Sequence, residues 1–387
     1  MGNPIYLDYN ATTPIDPAVR EAMLPYLSEH FGNPSTTHAY GLPAKEAVER
    51  ARQQVASLIG ATSEEIIFTS GGSESDNHAI VGTALANSHK GKNIITMCIE
   101  HPAVLKTCRY LEERLGFKVT YLPVDGFGLV DPKDIRRAVT GETILITIMH
   151  ANNEVGTIES IAEIGEIARE RRILFHTDAA QSCGKIPVDV NELKVDLLTI
   201  AGHKLYAPKG IGALFIRRGV QIDSLIHGAG QEKGKRAGTE NVPYMVGLGM
   251  ACELAMNELL VYTVKVKALR NRLYQRIVDG LGKDKVHLNG HPERRLPNTL
   301  NISIRGIVGD ELLSRIPEIA ASTGAACHAG STEPSSVLLE MGLSRELALG
   351  ALRLTLGRWS TPEEIDTAAD LIMKQTKLLM QRAKTID

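Results

Sequence analysis

Two ionisable side chains directly follow short apolar runs in this sequence. Asp178 ends the run RILFHTD, where a buried carboxylate carries a desolvation cost and calls for a cationic partner. Lys204 follows the run VDLLTIA on a short Gly-His turn, where partial burial would lower the pKa of its amine towards the range that Schiff-base formation needs. Taken singly, each residue is also typical of a structural aspartate or a solvated lysine.

A glycine pair supplies a candidate anion site. Gly71 and Gly72 separate a predicted strand that ends at Thr69 from a helix that opens at Ser73. The N-H groups and the positive end of such a helix can bind a phosphate, although Ser73 and Asp76 equally fit a helix cap. A phosphate site, a carboxylate and an amine on one sheet edge are the three anchor points of pyridoxal phosphate.

Three more polar segments follow predicted strands. His101 begins a helix and would either stack on a planar ring or cap that helix. Gln181 lies three residues after Asp178 and would bond either the same ring or its own loop. The pair Asn152 and Asn153 suits a turn or a ligand contact.

Two arginines compete as carboxylate ligands. Arg353 lies in the strand-like alternation ALRLTLGRW, where a guanidinium suits bidentate capture of a carboxylate. Arg358 follows five residues later, and an internal salt bridge is the alternative for both.

The five cysteines include no CxxC pair, so neither a zinc site nor a disulfide framework is predicted. Cys98 is typical of a strand core, and Cys108 and Cys252 are typical of helices. Cys183 follows a strand, and Cys327 lies among the small residues of STGAACHAGSTEP. Position alone leaves these last two as candidates for a reactive thiol.

Seven apolar, β-branched runs alternate with helical patterns and must position these residues. The runs cover residues 64–69, 92–99, 118–124, 143–150, 172–178, 195–201 and 211–216. Such strand-helix units predict an α/β fold with a mostly parallel seven-stranded sheet between helices. Ligands bind at the carboxyl ends of such strands, which selects the segments SGGSES, EHPAV, ANNEVG, DAAQSCG and GHKLYAPKG.

The pattern changes after about residue 255 to a long helical stretch and then to two short strand-like runs. We therefore expect a large domain over 15–255 and a smaller α+β domain formed by 1–14 and 256–387. The smaller domain would carry the Cys327 segment.

The composition is that of an ordinary globular protein, with 43% hydrophobic residues, 23% charged residues and a net charge of -2. No basic field predicts a nucleic-acid partner. No run approaches the roughly 18 uncharged apolar residues of a membrane span. A cytoplasmic location is the expectation.

Motifs from nearly the whole chain carry a resemblance to a known family. They are YLDYNATTP, FGNPSTTH, TSGGSESDN, EHPAV, ANNEVG, HTDAAQSCGK, GHKLYAPKG, RAGTENV, GAACHAGSTEPSSVL and LRLTLGRW. On these motifs the sequence resembles the cysteine desulfurases of the NifS/IscS type, which are class V aminotransferase relatives of pyridoxal phosphate fold type I. Selenocysteine lyase is a close relative.

The resemblance implies a set of contacts to the cofactor ring. Lys204 would hold pyridoxal phosphate as a Schiff base, and Asp178 would pair with its pyridine nitrogen. Gln181 would contact the ring oxygen, His101 would stack on the ring, and Asn153 would face cofactor and substrate.

The resemblance also implies how the two anionic groups are bound. Gly72, Ser73 and His203 would hold the phosphate, joined by Thr239 from the other subunit of a homodimer. Relatives often carry Thr where Ser73 stands, and Ser keeps the hydroxyl. Arg353 would bind the substrate carboxylate.

The family's acting thiol matches Cys327, which decides the choice against Cys183. The implied reaction converts L-cysteine into L-alanine and leaves a persulfide on Cys327, with His101 or His328 as candidates to assist thiolate formation. The sulfur would pass to an acceptor protein, such as an iron-sulfur scaffold, or to a reductant.

Three alternatives stay open at this point. The loop motif GAACH occurs in both desulfurase-like and selenocysteine-lyase-like members, so L-selenocysteine is an alternative substrate. An aminotransferase or β-lyase would need Lys204 and Asp178 but no thiol. A scaffold for an iron-sulfur assembly partner would keep the cofactor only as a structural group.

Overall fold

A computed structural model describes residues 3–324 and 333–383 of the chain. Cys327 and His328 lie outside the described residues.

The described chain forms twelve strands. They are β1 (Ile5–Tyr6), β2 (Ile66–Thr69), β3 (Asn93–Met97), β4 (Lys118–Leu122), β5 (Thr143–Thr147), β6 (Leu174–Asp178), β7 (Leu197–Ala201), β8 (Gly212–Ile216), β9 (Val286–Leu288), β10 (Thr299–Ile304), β11 (Ile319–Ala320) and β12 (Ala351–Thr355).

Fourteen α-helices accompany them in the same ranges. They are α1 (Pro17–Met23), α2 (Pro25–Ser28), α3 (Gly41–Leu58), α4 (Gly72–Asn77), α5 (Thr83–Asn87), α6 (Pro102–Leu115), α7 (Pro132–Ala138), α8 (Ile161–Arg171), α9 (Val190–Leu193), α10 (Val242–Leu281), α11 (Gly309–Ser314), α12 (Ser336–Glu340), α13 (Arg345–Leu349) and α14 (Pro362–Ala383). A π-helical turn over His78–Gly82 joins α4 to α5.

The central sheet has seven strands in the order β2-β8-β7-β6-β5-β3-β4. Strand β8 is antiparallel to both of its neighbours, and the pairs among β7, β6, β5, β3 and β4 are parallel. All seven strands predicted from the sequence are present, so the prediction of an α/β fold with a mostly parallel seven-stranded sheet is confirmed.

The sheet is buried on both faces, which explains why its strands are apolar runs with little alternation. Leu197 packs in one core with α5 and α6 residues, whereas the adjacent Leu198 packs in another with α3 and α8 residues. Successive side chains of a strand point to opposite faces, so each strand needs apolar residues at consecutive positions.

A second core lies around the three-stranded antiparallel sheet β12-β10-β9. The 40-residue helix α10 connects the two cores, because it contributes residues up to Ala255 to the first and residues from Tyr262 to the second. It begins at Val242, earlier than the helical stretch that the sequence predicted after residue 255. Leu7 also packs in the second core. The domain limits at 14/15 and 255/256 stay a prediction.

Within the part of the chain that the structure describes, α10 alone is long and apolar enough to cross a membrane by length and composition. A core helix of a globular protein passes the same test, and α10 packs into both cores.

Candidate active site

A cavity of about 630 Å³ opens at the carboxyl edge of the central sheet. This volume lies within the usual range of small-molecule pockets. Each of the five segments selected from the sequence contributes to its wall, through Ser73, His101, Asn153, Asp178 and Lys204. The carboxyl ends of the parallel strands bring these segments together from a span of more than a hundred residues.

Lys204 occupies the 3-10 turn that directly follows β7. Its Nζ donates hydrogen bonds to the backbone oxygens of Asn10 at 2.6 Å and Ala11 at 2.7 Å. Burial, and then the charge of Arg353, lower the pKa of the Lys204 amine to about 8. A substantial fraction of this amine is therefore neutral near physiological pH, as a nucleophile or a base requires.

Asp178 is the last residue of β6 and is only 6% exposed. Its Oδ1 accepts a hydrogen bond from the Ala180 N-H at 2.8 Å, and no hydrogen bond to Oδ2 occurs among the described residues. Burial raises the pKa of Asp178, whereas the Ala180 N-H and the charges of His101 and Lys204 act in the opposite direction. The second oxygen leaves room for a cationic partner in the cavity.

A second carboxyl group, that of Asp76 on α4, lines the same cavity. Its Oδ1 has no hydrogen-bond partner in the described part of the chain and lies 3.7 Å from Nε2 of the buried His176. Burial, and then the charge of Asp178, raise the pKa of Asp76 well above its usual range, and burial lowers the pKa of His176 to about 3. The imidazole of His176 is therefore neutral at physiological pH and offers no positive charge to Asp76.

The glycine turn forms as predicted between β2 and α4. Gly71 has a φ of 149°, which favours glycine, and a Cβ at Gly72 would lie 3.1 Å from the Ala201 Cβ. No side chain caps α4, so the alternative in which Ser73 serves only as a helix cap is not realised. The first N-H groups of a helix have no intrahelical acceptor, and Gly71, Gly72 and Ser73 at this helix start line the cavity.

His203 and Ser73 both line the cavity beside this turn. The Nδ1 of His203 lies 3.1 Å from the Thr12 hydroxyl. Burial, and then the charge of Lys204, lower the pKa of His203 to about 4. His203 thus offers a neutral imidazole, and the turn offers N-H groups and a hydroxyl, to an anion.

His101 has both of the features that the sequence left as alternatives. It is the N-cap of α6, because its Nδ1 accepts a hydrogen bond from the Ala103 N-H at 3.1 Å, and it also lines the cavity. Burial lowers the pKa of His101. An accepting Nδ1 places the proton of the neutral ring on Nε2, so the cap fixes the tautomer.

Arg353 reaches the cavity from β12, outside the central sheet. Its NH2 group donates to Asp8 Oδ1 at 2.9 Å and its NH1 group to the Asn153 oxygen at 3.4 Å, whereas its buried Nε has no hydrogen-bond partner among the described residues. The competitor Arg358 is bound to Asp16 and does not line the cavity. Arg353 alone of the two is placed to bind a carboxylate there.

Comparisons with known proteins agree with this constellation. Residues 5–367 match the model of the class V aminotransferase family. The cysteine desulfurase IscS of Methanosarcina thermophila is 52% identical over 371 residues, which cover 95% of this chain and 91% of that protein. This chain belongs to the cysteine desulfurases of the class V aminotransferase family.

Other cysteine desulfurases are similarly close. The cysteine desulfurase of Mus musculus is 48% identical over 381 residues and covers 98% of this chain, which spans 82% of it. A solved NifS-like protein superposes with a TM-score of 0.88 at 38% identity, with 97% of this chain and 100% of that chain covered. The structure of SspA in complex with cysteine gives a TM-score of 0.78, also at 38% identity, with 92% and 99% covered.

The four described cysteines of this desulfurase are poor candidates for the reacting thiol. Cys183, the rival of Cys327, is fully buried in the core beside Cys252, and burial raises its pKa to about 12. Burial also raises the pKa of Cys98, to about 11, and that of Cys108. None of these four thiols lines the cavity.

Thr239 is exposed and does not line the cavity of its own chain. Its expected role belongs to the other subunit of a homodimer, so it stays a prediction.

The sequence reasoning assigned no chemistry to Asn10, which lies in the motif YLDYNATTP. Its backbone oxygen accepts hydrogen bonds from Lys204 and from Gln181 Nε2. Its side-chain Nδ2 donates to the Asn153 oxygen at 3.2 Å and to the Thr299 hydroxyl at 2.9 Å. Asn10 is thus hydrogen-bonded to three of the predicted site residues. The polar motif YLDYNATTP, in which it lies, is the sequence feature that could have drawn attention to it.

Proposed function

We propose that this chain is a cysteine desulfurase that uses pyridoxal phosphate to convert L-cysteine into L-alanine and to transfer the sulfur to Cys327 as a persulfide. The observation that carries the proposal is that Lys204, Asp178 and Arg353 line one cavity. The chain is also 52% identical to a relative named cysteine desulfurase. The neighbour named as SspA in complex with cysteine supports the same amino acid as substrate.

The chemistry of the cavity wall fits pyridoxal phosphate. Asp178 has an oxygen without a hydrogen bond, which would pair with the ring nitrogen, and Lys204 supplies a partly neutral amine. The cofactor-binding residues would be Gly72, Ser73, His101, Asn153, Asp178, Gln181, His203, Lys204 and, from a second subunit, Thr239. When bound, pyridoxal phosphate withdraws electrons from the substrate's α-carbon and so makes its proton acidic.

The described residues then have separate tasks. Arg353 would bind the substrate carboxylate in the cavity that it lines, while Asp8 and the Asn153 oxygen orient its guanidinium. The Lys204 amine takes the Cα proton, which its lowered pKa allows near neutral pH. Asp178 would pair with the ring nitrogen, and the raised pKa of Asp76 disfavours a second negative charge beside it.

Sulfur transfer is assigned to Cys327, which lies outside the described residues. Its thiolate attacks the sulfur of the substrate, an S-S bond forms, and the Cβ-S bond breaks. The carbon side keeps the electron pair and takes up a proton, which yields alanine. A second thiol, on an acceptor protein or a reductant, then removes the persulfide sulfur by exchange.

Alanine formation and persulfide detection test this function together. The purified protein, loaded with pyridoxal phosphate, is given L-cysteine and L-selenocysteine in parallel, and mass spectrometry follows a 32-Da addition to the peptide that contains Cys327. We expect alanine and the persulfide from L-cysteine in the wild type and in Cys98→Ser, and neither in Cys327→Ser. Full alanine formation by Cys327→Ser would contradict the persulfide route. Formation of pyruvate in place of alanine would favour a β-lyase, and turnover of L-selenocysteine alone would favour a selenocysteine lyase.

A homodimer and an intracellular sulfur acceptor complete the proposal. The exposed position of Thr239 supports a partner subunit, since its own cavity lacks it. The resemblance to the cysteine desulfurases implies an acceptor protein, such as an iron-sulfur scaffold, for the sulfur. Analytical ultracentrifugation tests the dimer, and transfer of labelled sulfur from the persulfide to a purified scaffold protein tests the acceptor.

A further inference from the structure

Lys185 is a buried lysine that the proposed reaction does not use. It follows the Asp178 segment and is 3% exposed. No carboxylate forms an ion pair with it among the described residues. Its Nζ instead donates hydrogen bonds to Gln181 Oε1 at 2.8 Å and to Asn10 Oδ1 at 3.2 Å. A buried amine without an acidic partner is costly, so its presence beside the cofactor cavity needs an explanation.

The hydrogen bonds of Lys185 suit a neutral amine. Two side-chain oxygens accept from it, and a neutral amine has two hydrogens. Burial, and then the positive charges of Lys204 and Arg353, lower the pKa of Lys185, and the nearby Cys183 acts weakly in the other direction. Lys185 is therefore a hydrogen-bond donor directed at the Gln181 and Asn10 oxygens, and its lowered pKa disfavours a positive charge there.

Lys185 determines which way two side-chain amides point. Asn10 Oδ1 accepts from Lys185 and from Asn298 Nδ2, so both of its lone pairs are used. Gln181 Oε1 accepts from Lys185, and Gln181 Nε2 donates to the Asn10 backbone oxygen at 3.0 Å. A flipped Gln181 would place its own oxygen against that backbone oxygen, which is repulsive.

Within the described ranges, one hydrogen of Gln181 Nε2 has no acceptor after these contacts. Gln181 lines the cavity, and its oxygen is drawn towards Lys185. We propose that Lys185 is a positioning residue that fixes the Gln181 amide so that its N-H group, and not its oxygen, meets the ring oxygen of the cofactor. This inference rests on the proposed function, because it requires pyridoxal phosphate in the cavity.

The orientation has a measurable consequence. A donated N-H stabilises the negatively charged form of the ring oxygen, because hydrogen bonding to the charged form of an acid favours that form. Loss of the donor therefore raises the pH at which the visible absorbance of the bound cofactor changes. A neutral hydrogen bond of ordinary strength corresponds to about one pH unit.

The experiment is a spectroscopic double-mutant cycle on the cofactor-loaded protein. The absorbance of wild type, Lys185→Met, Gln181→Leu and the double variant is titrated against pH, with the exposed Lys283→Met as a control. We expect upward shifts of about one pH unit for both single variants, the same shift for the double variant as for Gln181→Leu, and no shift for the control. Lys185→Gln keeps a donor and should restore most of the wild-type midpoint.

Two results would overturn the inference. One is an unchanged midpoint in Lys185→Met when Gln181→Leu is shifted. The other is a sum of the two shifts in the double variant, since Lys185 would then act independently of Gln181. Replacement of a buried amine by an apolar side chain is often tolerated. If Lys185→Met does not fold, Lys185→Gln is the test, and a midpoint that does not return towards the wild-type pH would overturn the inference. A wild type without any cofactor absorbance would contradict the proposed function itself.

Discussion

The two edges of the central sheet each carry a cavity, and the two cavities differ in the burial and the balance of their charges. The cavity at the carboxyl edge has a volume of about 630 Å³ and contains both amine and carboxyl groups. The cavity at the opposite edge is larger, at about 790 Å³, and is bordered by four arginines, one lysine and, of acidic residues, only Asp196. Volume alone would select the wrong edge.

The arginines at the opposite edge are either exposed to solvent or hydrogen-bonded to the backbone. Arg217 donates to the backbone oxygens of Val190 and Val195, whereas Arg171, Arg172 and Arg218 are exposed. Exposed charges interact weakly through water. At the carboxyl edge, burial shifts the pKa values of neighbouring groups in opposite directions, and this marks a reaction site.

The largest effect should come from removal of the buried amine at the carboxyl edge. In Lys204→Ala we expect the rate of alanine formation to fall by about 10⁴-fold, because the base for the Cα proton is lost. Lys90→Ala, at the opposite edge, is the matched control and should change the rate less than twofold. A Lys204→Ala rate within tenfold of the wild type would remove the distinction between the edges.

A smaller loss should follow from the arginine at the same edge. Arg353→Ala removes a charged hydrogen-bonding partner of the substrate carboxylate, so we expect kcat/KM to fall by about 10²-fold, mostly through KM. Arg218→Ala removes an arginine from the opposite edge as a control. Equal kinetic effects of the two substitutions would show that Arg353 is not a substrate ligand.

The pH dependence of proton removal sharpens the comparison further. The Lys204 pKa is lowered to about 8, and only the neutral amine accepts a proton, so exchange should rise about tenfold per pH unit below 8 and level off above it. Exchange of the Cα hydrogen of L-alanine with deuterium, followed by NMR in cofactor-loaded Cys327→Ser, measures this step without the thiol.

Asp8→Asn provides the control for that profile. The Asp8 charge raises the pKa of Lys204, so its removal should move the rising limb to lower pH, by less than about one unit for a partly exposed group. A limb that stays in place or moves upward would assign the titration to another group.

The smallest effect belongs to the opposite edge as a whole. The triple variant Arg171→Ala/Arg172→Ala/Arg218→Ala should keep alanine formation within about twofold of the wild type, since exposed side chains contribute little. Steady-state assays with L-cysteine measure it. A loss of tenfold or more would mean that the edge takes part in the reaction or in its coupling to a partner.

The sequence predicted the strand-end residues well because their positions follow from local pattern. Asp178 and Lys204 each end a buried apolar run, and the topology of a parallel sheet brings the ends of such runs to one edge. The role of His101 was harder to predict, because a helix cap and a ring contact have the same local sequence. In the structure His101 caps α6 and also lines the cavity.

The remaining choices required contacts that no local pattern contains. Arg353 and Arg358 lie in the same run, and only the packing of β12 sends one to the cavity and the other to Asp16. Cys183 looked like a strand-end thiol until the structure placed it in the core beside α10. Burial depends on what folds over a residue, and those neighbours come from distant parts of the chain.

The sequence by itself determined the sheet, its functional edge and the family, because apolar periodicity and ordered motifs are properties of consecutive residues. Only the tertiary structure decided that Asn10 joins Lys204, Gln181 and Asn153, and that Lys185 is a buried amine with no acidic partner among the residues that the structure describes. The physical reason is that hydrogen-bond direction and desolvation are set by groups brought together across the fold, and these are what shift the pKa values that the proposed reaction needs.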